Sequence, residues 1–121
     1  MLGYKVFGAG LPGPLASAIC QDAATGISAA GTTQGTATEL TSADNEITTA
    51  AAGSGVVLDS SLAAGDSQSI FNAGENAVKV YPPSGMKINA LAADAAMTLA
   101  TNTGCVFYCV STTRVFGVLS A

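Results

Sequence analysis

Histidine and tryptophan are both absent from this 121-residue chain, and only 10% of its residues are charged. Without histidine there is no imidazole for a nucleophilic triad, and the commonest metal ligand is missing. Without tryptophan, the carboxylates that could form an acid/base pair, Asp44 with Glu46 or Asp59 with Asp66, have no such aromatic beside them to hold a substrate. They lie among turn residues and read as solvated loop charges, with Asp44 and Asp66 as turn caps. Positive charge is equally scarce. Lys5, Lys79, Lys87 and Arg114 are scattered and form no basic stripe, so a nucleic-acid partner is not expected of a chain with net charge −4. No apolar run approaches the ~18 residues of a membrane span, and no membrane partner is expected. The apolar stretch near the start is broken by Pro12 and Pro14, which makes a poor secretory signal, so Met1 reads as the mature start or close to it.

Cysteine is sparse and odd in number, with Cys20, Cys105 and Cys109. Cys105 and Cys109 are four apart on an expected strand, which separates them by roughly 13 Å at about 3.3 Å per residue. That pair cannot bridge, and Cys-x3-Cys alone is no zinc site. All three are expected reduced and mostly buried, as in a reducing cytoplasm; the sharper alternative is an intermolecular bridge through Cys20. No cofactor, metal or catalytic group is expected.

What the chain does contain is small residues, turn formers and short β-rich runs. The most informative segment is 70–89, where two β-forming runs are divided by Asn72-Ala73-Gly74-Glu75-Asn76. Gly74 and the asparagines suit a tight reversal, so the segment predicts a hairpin. Pro82 and Pro83 cannot donate to a central ladder, and Ser84-Gly85 offers a second reversal. From residue 36 onward, strands are expected at 36–41, 46–49, 55–59, 68–72, 78–81, 86–89, 96–100, 105–111 and 114–119. The alanines within 91–99 also allow a short helical turn.

Residues 1–35 read as a Gly/Ala-rich N-terminal arm and 36–121 as the β-domain. In the arm, 15–24 allows a short helix, and Gly8-Ala9-Gly10-Leu11-Pro12-Gly13 satisfies the G-x-G-x-x-G pattern by chance, since no strand of adequate length precedes it and Pro12 disrupts the helix start that would hold a pyrophosphate. Gly53-Ser54-Gly55 is most simply a turn. Leu2, Tyr4, Val6 and Phe7 are costly to leave in water and are expected to dock on a neighbouring subunit. On the run from Cys105 to Val110, alternation puts Cys105, Phe107 and Cys109 on one face and Val106, Tyr108 and Val110 on the other. Both faces are apolar. This fits a strand lying between its own core and another subunit or second layer, with Val106, Tyr108 and Val110 as the interface, and it equally fits a central sandwich strand.

With its flanks, Thr48-Thr49-Ala50-Ala51-Ala52-Gly53-Ser54-Gly55-Val56-Val57-Leu58 before it and Phe107-Tyr108-Cys109-Val110-Ser111 after it, the segment from Asn72 through Tyr81-Pro82-Pro83-Ser84-Gly85 to Asn89 resembles a family of small tailed-bacteriophage virion proteins. The resemblance spans residues 27–115 and does not reach residues 1–26. It implies a non-enzymatic structural protein of the virion. The expected role is a decoration or cement protein on the capsid surface, assembled in the host cytoplasm, with the major capsid protein as partner and a homotrimer as the oligomer. The alternative is a tail, baseplate or fibre-associated module that contacts the host surface. The fold class expected is all-β, an antiparallel sandwich or barrel-like domain with an extended N-terminal arm.

Overall fold

The computed structural model describes residues 23–120. Ten strands are present among them and no helix: β1 Ala23–Ala29, β2 Thr38–Glu39, β3 Asp44–Ala50, β4 Gly55–Val57, β5 Ser67–Asn72, β6 Val78–Tyr81, β7 Lys87–Ile88, β8 Met97–Leu99, β9 Thr103–Cys109 and β10 Arg114–Leu119. They form a six-stranded sheet ordered β1-β3-β5-β9-β10-β7 and a four-stranded sheet ordered β2-β4-β6-β8. The all-β class is therefore as expected, and each expected strand overlaps an observed one.

The pairing differs from the expectation. β1, β3 and β5 pair in parallel in the first sheet, and β2, β4 and β6 pair in parallel in the second. Antiparallel ladders are confined to β5 with β9, β9 with β10, and β6 with β8. From β1 to β6 the chain alternates between the sheets, so each strand in one sheet serves as the crossover that parallel neighbours in the other require. Successive windings stack like turns of a solenoid, not as an antiparallel sandwich or barrel.

The hairpin predicted at 70–89 is a corner instead. β5 and β6 flank Ala73-Gly74-Glu75-Asn76-Ala77 but lie in different sheets. Asn72 explains the turn. Its side chain is fully buried; Nδ2 donates to the Asn76 carbonyl at 2.9 Å and to the Leu99 carbonyl at 3.0 Å, and Oδ1 accepts from the Gly74 amide at 3.0 Å. These bonds satisfy the backbone of a bend that has no ladder of its own. Gly74 must be small there, because a Cβ would sit 2.8 Å from the Ala50 Cβ of the preceding winding. The second reversal forms as expected, with the Met86 amide donating to the Pro83 carbonyl at 3.0 Å and Gly85 at φ 82°.

Other amides fasten one winding to the next. Gln68, also buried, donates to the carbonyls of Leu40 and Ser42 and accepts from the Asp59 amide. Asn45 donates to the Ser42 and Ser69 carbonyls, and Asn76 to the Ala50 carbonyl. Between the sheets, one core joins Ile47, Ile70, Cys105, Phe107, Cys109 and Val115 of the larger sheet to Val56, Val78, Val80 and Leu99 of the smaller. The inward positions repeat through the parallel ladders: Ile27 opposite Ile47, and Val56 opposite Val80.

β1 falls inside the 1–35 span read as an arm, and its pairing with β3 makes residues 23–29 part of the sheet. The segment that follows is also held in place. The Tyr81 hydroxyl donates to the Thr32 carbonyl at 2.9 Å, and Gln34 Nε2 donates to the Pro82 carbonyl at 2.8 Å and the Asp94 carboxylate at 3.0 Å. Asp94 also accepts from the Gly85 amide at 2.7 Å, and these two hydrogen bonds, the backbone one foremost, lower its pKa. The stretch allowed as a helical turn, 91–99, forms turns and then β8, with Asn89 and Asp94 at positive φ.

Candidate interaction face

The larger sheet has an inner face in the core and an outer face that the described residues leave uncovered. Along β3 and β5 the outer face carries Asp44, Glu46, Thr48, Ser67 and Ser69, the polar set expected of a sheet facing water. Across β9 and β10 it changes character. Val106, Tyr108, Phe116 and Val118 point outward there, and the register places Tyr108 opposite Phe116 and Val106 opposite Val118. Phe71 extends this surface from β5, its ring lying against Gly104. Exposures of 47% for Tyr108, 43% for Phe116 and 59% for Val118 are large for side chains of this kind.

Val110, just past β9, is also exposed. Val106, Tyr108 and Val110 thus all lie on the side of β9 away from the core, while Cys105, Phe107 and Cys109 are buried. Sequence reasoning missed Phe71, Phe116 and Val118, which join the face only through cross-strand register. Arg114 also lies on it, with Lys87 of β7 opposite, and its guanidinium is 5.8 Å from the centroid of the Phe116 ring, a cation–π distance. Leu2, Tyr4, Val6 and Phe7 lie outside the described residues.

Beside this apolar area the outer face sinks into a hollow of about 650 Å³. Its floor is β5 and β9 around Phe71 and Val106; one wall is Val118 and Leu119, and the other is β1 with Asp44 and Glu46 of β3. The two carboxylates are engaged by hydroxyls: Ser69 donates to Asp44 at 2.6 Å, and Thr25 donates to Glu46. Asp44 therefore bonds across a ladder and does not cap a turn. Asp59 and Asp66 act as local caps, accepting from the amides of Ser61 and Ala63 respectively. Gly53-Ser54-Gly55 forms a turn closed by Ser54 N and Oγ donating to the Ala51 carbonyl.

Cys105 and Cys109 are free and buried in the core. Burial pushes the Cys105 thiol up to about 11, which disfavours the nucleophilic thiolate. In the native protein Cys105 is expected to escape iodoacetamide at pH 8 and to react once the chain is unfolded, as read by mass spectrometry of the labelled peptides. The linkage has a definite sign. An unfolded thiol loses its proton near 9 and the folded one near 11, so this contribution to stability is whole below pH 9 and lost as pH rises through 11. Rapid native labelling of Cys105 at pH 8 would contradict this.

Among the described residues no group of three or more His, Cys, Asp or Glu side chains is placed to hold a metal ion, and no helix is long and apolar enough to cross a membrane. Compared with protein-family models, curated proteins and solved structures, the chain matches none of them.

Proposed function

We propose that this chain is a non-enzymatic structural protein of a phage particle that decorates the capsid and reinforces contacts between capsomers. The observation that carries the reading is the apolar outer face of β9 and β10, built on two sheets sharing one core. Polar residues occupy the same face one strand away, so the apolar character is local to the part of the sheet that a partner would cover. Covering the exposed remainder of one such aromatic contributes on the order of 1 kcal/mol. The sequence resemblance to small virion proteins of tailed phages names the class of partner, the major capsid protein. A homotrimer matches the threefold positions of an icosahedral shell. We read the winding as a short solenoid ended by the β9–β10 hairpin, a rigid form suited to bearing load.

The mechanism is mass action: a ligand that binds the assembled shell and not its dissociated parts raises the free energy of disassembly. Particles lacking the protein are expected to assemble and package DNA, then to lose the genome at a lower temperature or under milder osmotic shock than complete particles. The variant Tyr108→Ser with Phe116→Ser should fold, because both side chains face outward, and should show reduced occupancy on the shell. Light scattering of the purified protein at micromolar concentration should give a trimer. Particles that lack the protein, resist heat like complete ones and fail only at host attachment would overturn the cement reading in favour of a tail or fibre module.

A further inference from the structure

The hollow beside the apolar face has a shape and a charge that select an occupant. It is open, with an apolar floor at Phe71 and Val106, an apolar wall at Val118 and Leu119, and an acidic rim at Asp44 and Glu46. Ala23, where the described chain begins, lines it too. The 22 residues preceding Ala23 are thus tethered at its edge.

Within that stretch both aromatics lie at the far end, in Leu2-Gly3-Tyr4-Lys5-Val6-Phe7, where large apolar side chains occupy four of six positions, and Lys5 is the sole charged side chain of residues 1–21. In an extended conformation Leu2, Tyr4 and Val6 project to one side and Lys5 to the other. The intervening Gly8, Gly10, Pro12, Gly13 and Pro14 are turn formers. A linker from residue 8 to 22 can span up to about 50 Å when extended, so returning to its own point of origin strains nothing.

We propose that the segment Leu2–Phe7 of the same chain occupies this hollow, its apolar side chains on Phe71, Val106, Val118 and Leu119 and its Lys5 ammonium beside Asp44 and Glu46. This occupancy is independent of the particle the protein serves. It divides the outer face in two: a hollow end filled by the chain itself, and the Tyr108–Phe116 end left for a partner.

The test uses the full chain carrying Gly3→Cys and Cys20→Ser, with a nitroxide on the new thiol while buried Cys105 and Cys109 stay unlabelled. Amide signals of Thr25, Gly104, Val106 and Val118 should be lost, and those of Lys79 and Thr98 in the other sheet retained. Adding Lys5→Glu should restore the lost signals, and combining it with Glu46→Lys should abolish them again. Signals retained throughout the hollow, or lost equally in both sheets, would overturn the proposal. A mixture of labelled chains without 15N and unlabelled chains with 15N should show no loss. Loss in that mixture would overturn it too, assigning the hollow to the segment of a second copy.

Discussion

Replacing Phe107 by alanine is expected to destabilise the protein by about 3–5 kcal/mol, a large share of the roughly 5–15 kcal/mol that holds a typical domain folded. Phe107 is fully buried at the middle of β9, opposite Gln68 of β5 and Gly117 of β10. Gly117 leaves room for its ring: a Cβ there would sit 3.1 Å from Phe107 Cε1. The site is fixed on both sides by ladder hydrogen bonds, so it cannot collapse around the smaller side chain, and a cavity between the sheets should remain. Thermal unfolding followed by circular dichroism should show a midpoint lower by roughly 10–20 °C. Gly117→Ala with Phe107→Leu should recover part of the loss by refilling the same volume. A Phe107→Ala midpoint within a few degrees of wild type would show that the ring is not the centre of the core.

Asn72→Ala should cost about 2–4 kcal/mol through a different physics, because it leaves the carbonyls of Asn76 and Leu99 and the amide of Gly74 without their side-chain partner in a buried corner. Asn72→Asp separates hydrogen bonding from shape. The carboxylate still accepts from Gly74 but has no proton for either carbonyl, and it places a charge where burial is complete. At neutral pH it should therefore destabilise at least as much as alanine. Its buried carboxyl prefers the protonated form, so the folded pKa lies above the unfolded value, and stability relative to wild type should improve as pH falls through that range. Urea titrations at pH 7 and pH 4.5 test this. Equal destabilisation at both would mean that the corner is held by something other than this amide.

The residues that specify strands were legible because β-formers and turn formers alternate at short intervals, and the same alternation placed Val106 and Tyr108 opposite Cys105 and Phe107. Which strands pair was not legible. A bend of Asn, Ala, Gly and Glu has the same composition whether it reverses a chain within one sheet or carries it to another. The difference lies in Asn72, whose side chain closes the corner onto Leu99, far away in sequence. Gln68 and Asn45 carry the same signal, being amides in strand positions where a hairpin would place apolar residues or leave polar ones in water. β1 went unseen because Ala23, Ala24 and Gly26 have little strand preference of their own; β3 imposes the strand. The candidate face was half visible, since Phe71, Phe116 and Val118 join Val106 and Tyr108 only once the register is known.

The parallel windings also bear on how fast this chain can reach its structure. Ala23 pairs with Asp44 and Asp44 with Ser69, so every rung of these ladders closes a loop of roughly 20–25 residues before any contact rewards it. β9 and β10, joined by a short turn between Cys109 and Val115, are the local pair. They are also the last of the ten strands to leave the ribosome. The windings that precede them have a free edge at β5 until β9 arrives to pair with it. Folding should thus wait on the C-terminal strands, and a chain stalled before Thr103 would present an open sheet edge and an uncovered core, the two features that recruit chaperones and favour aggregation.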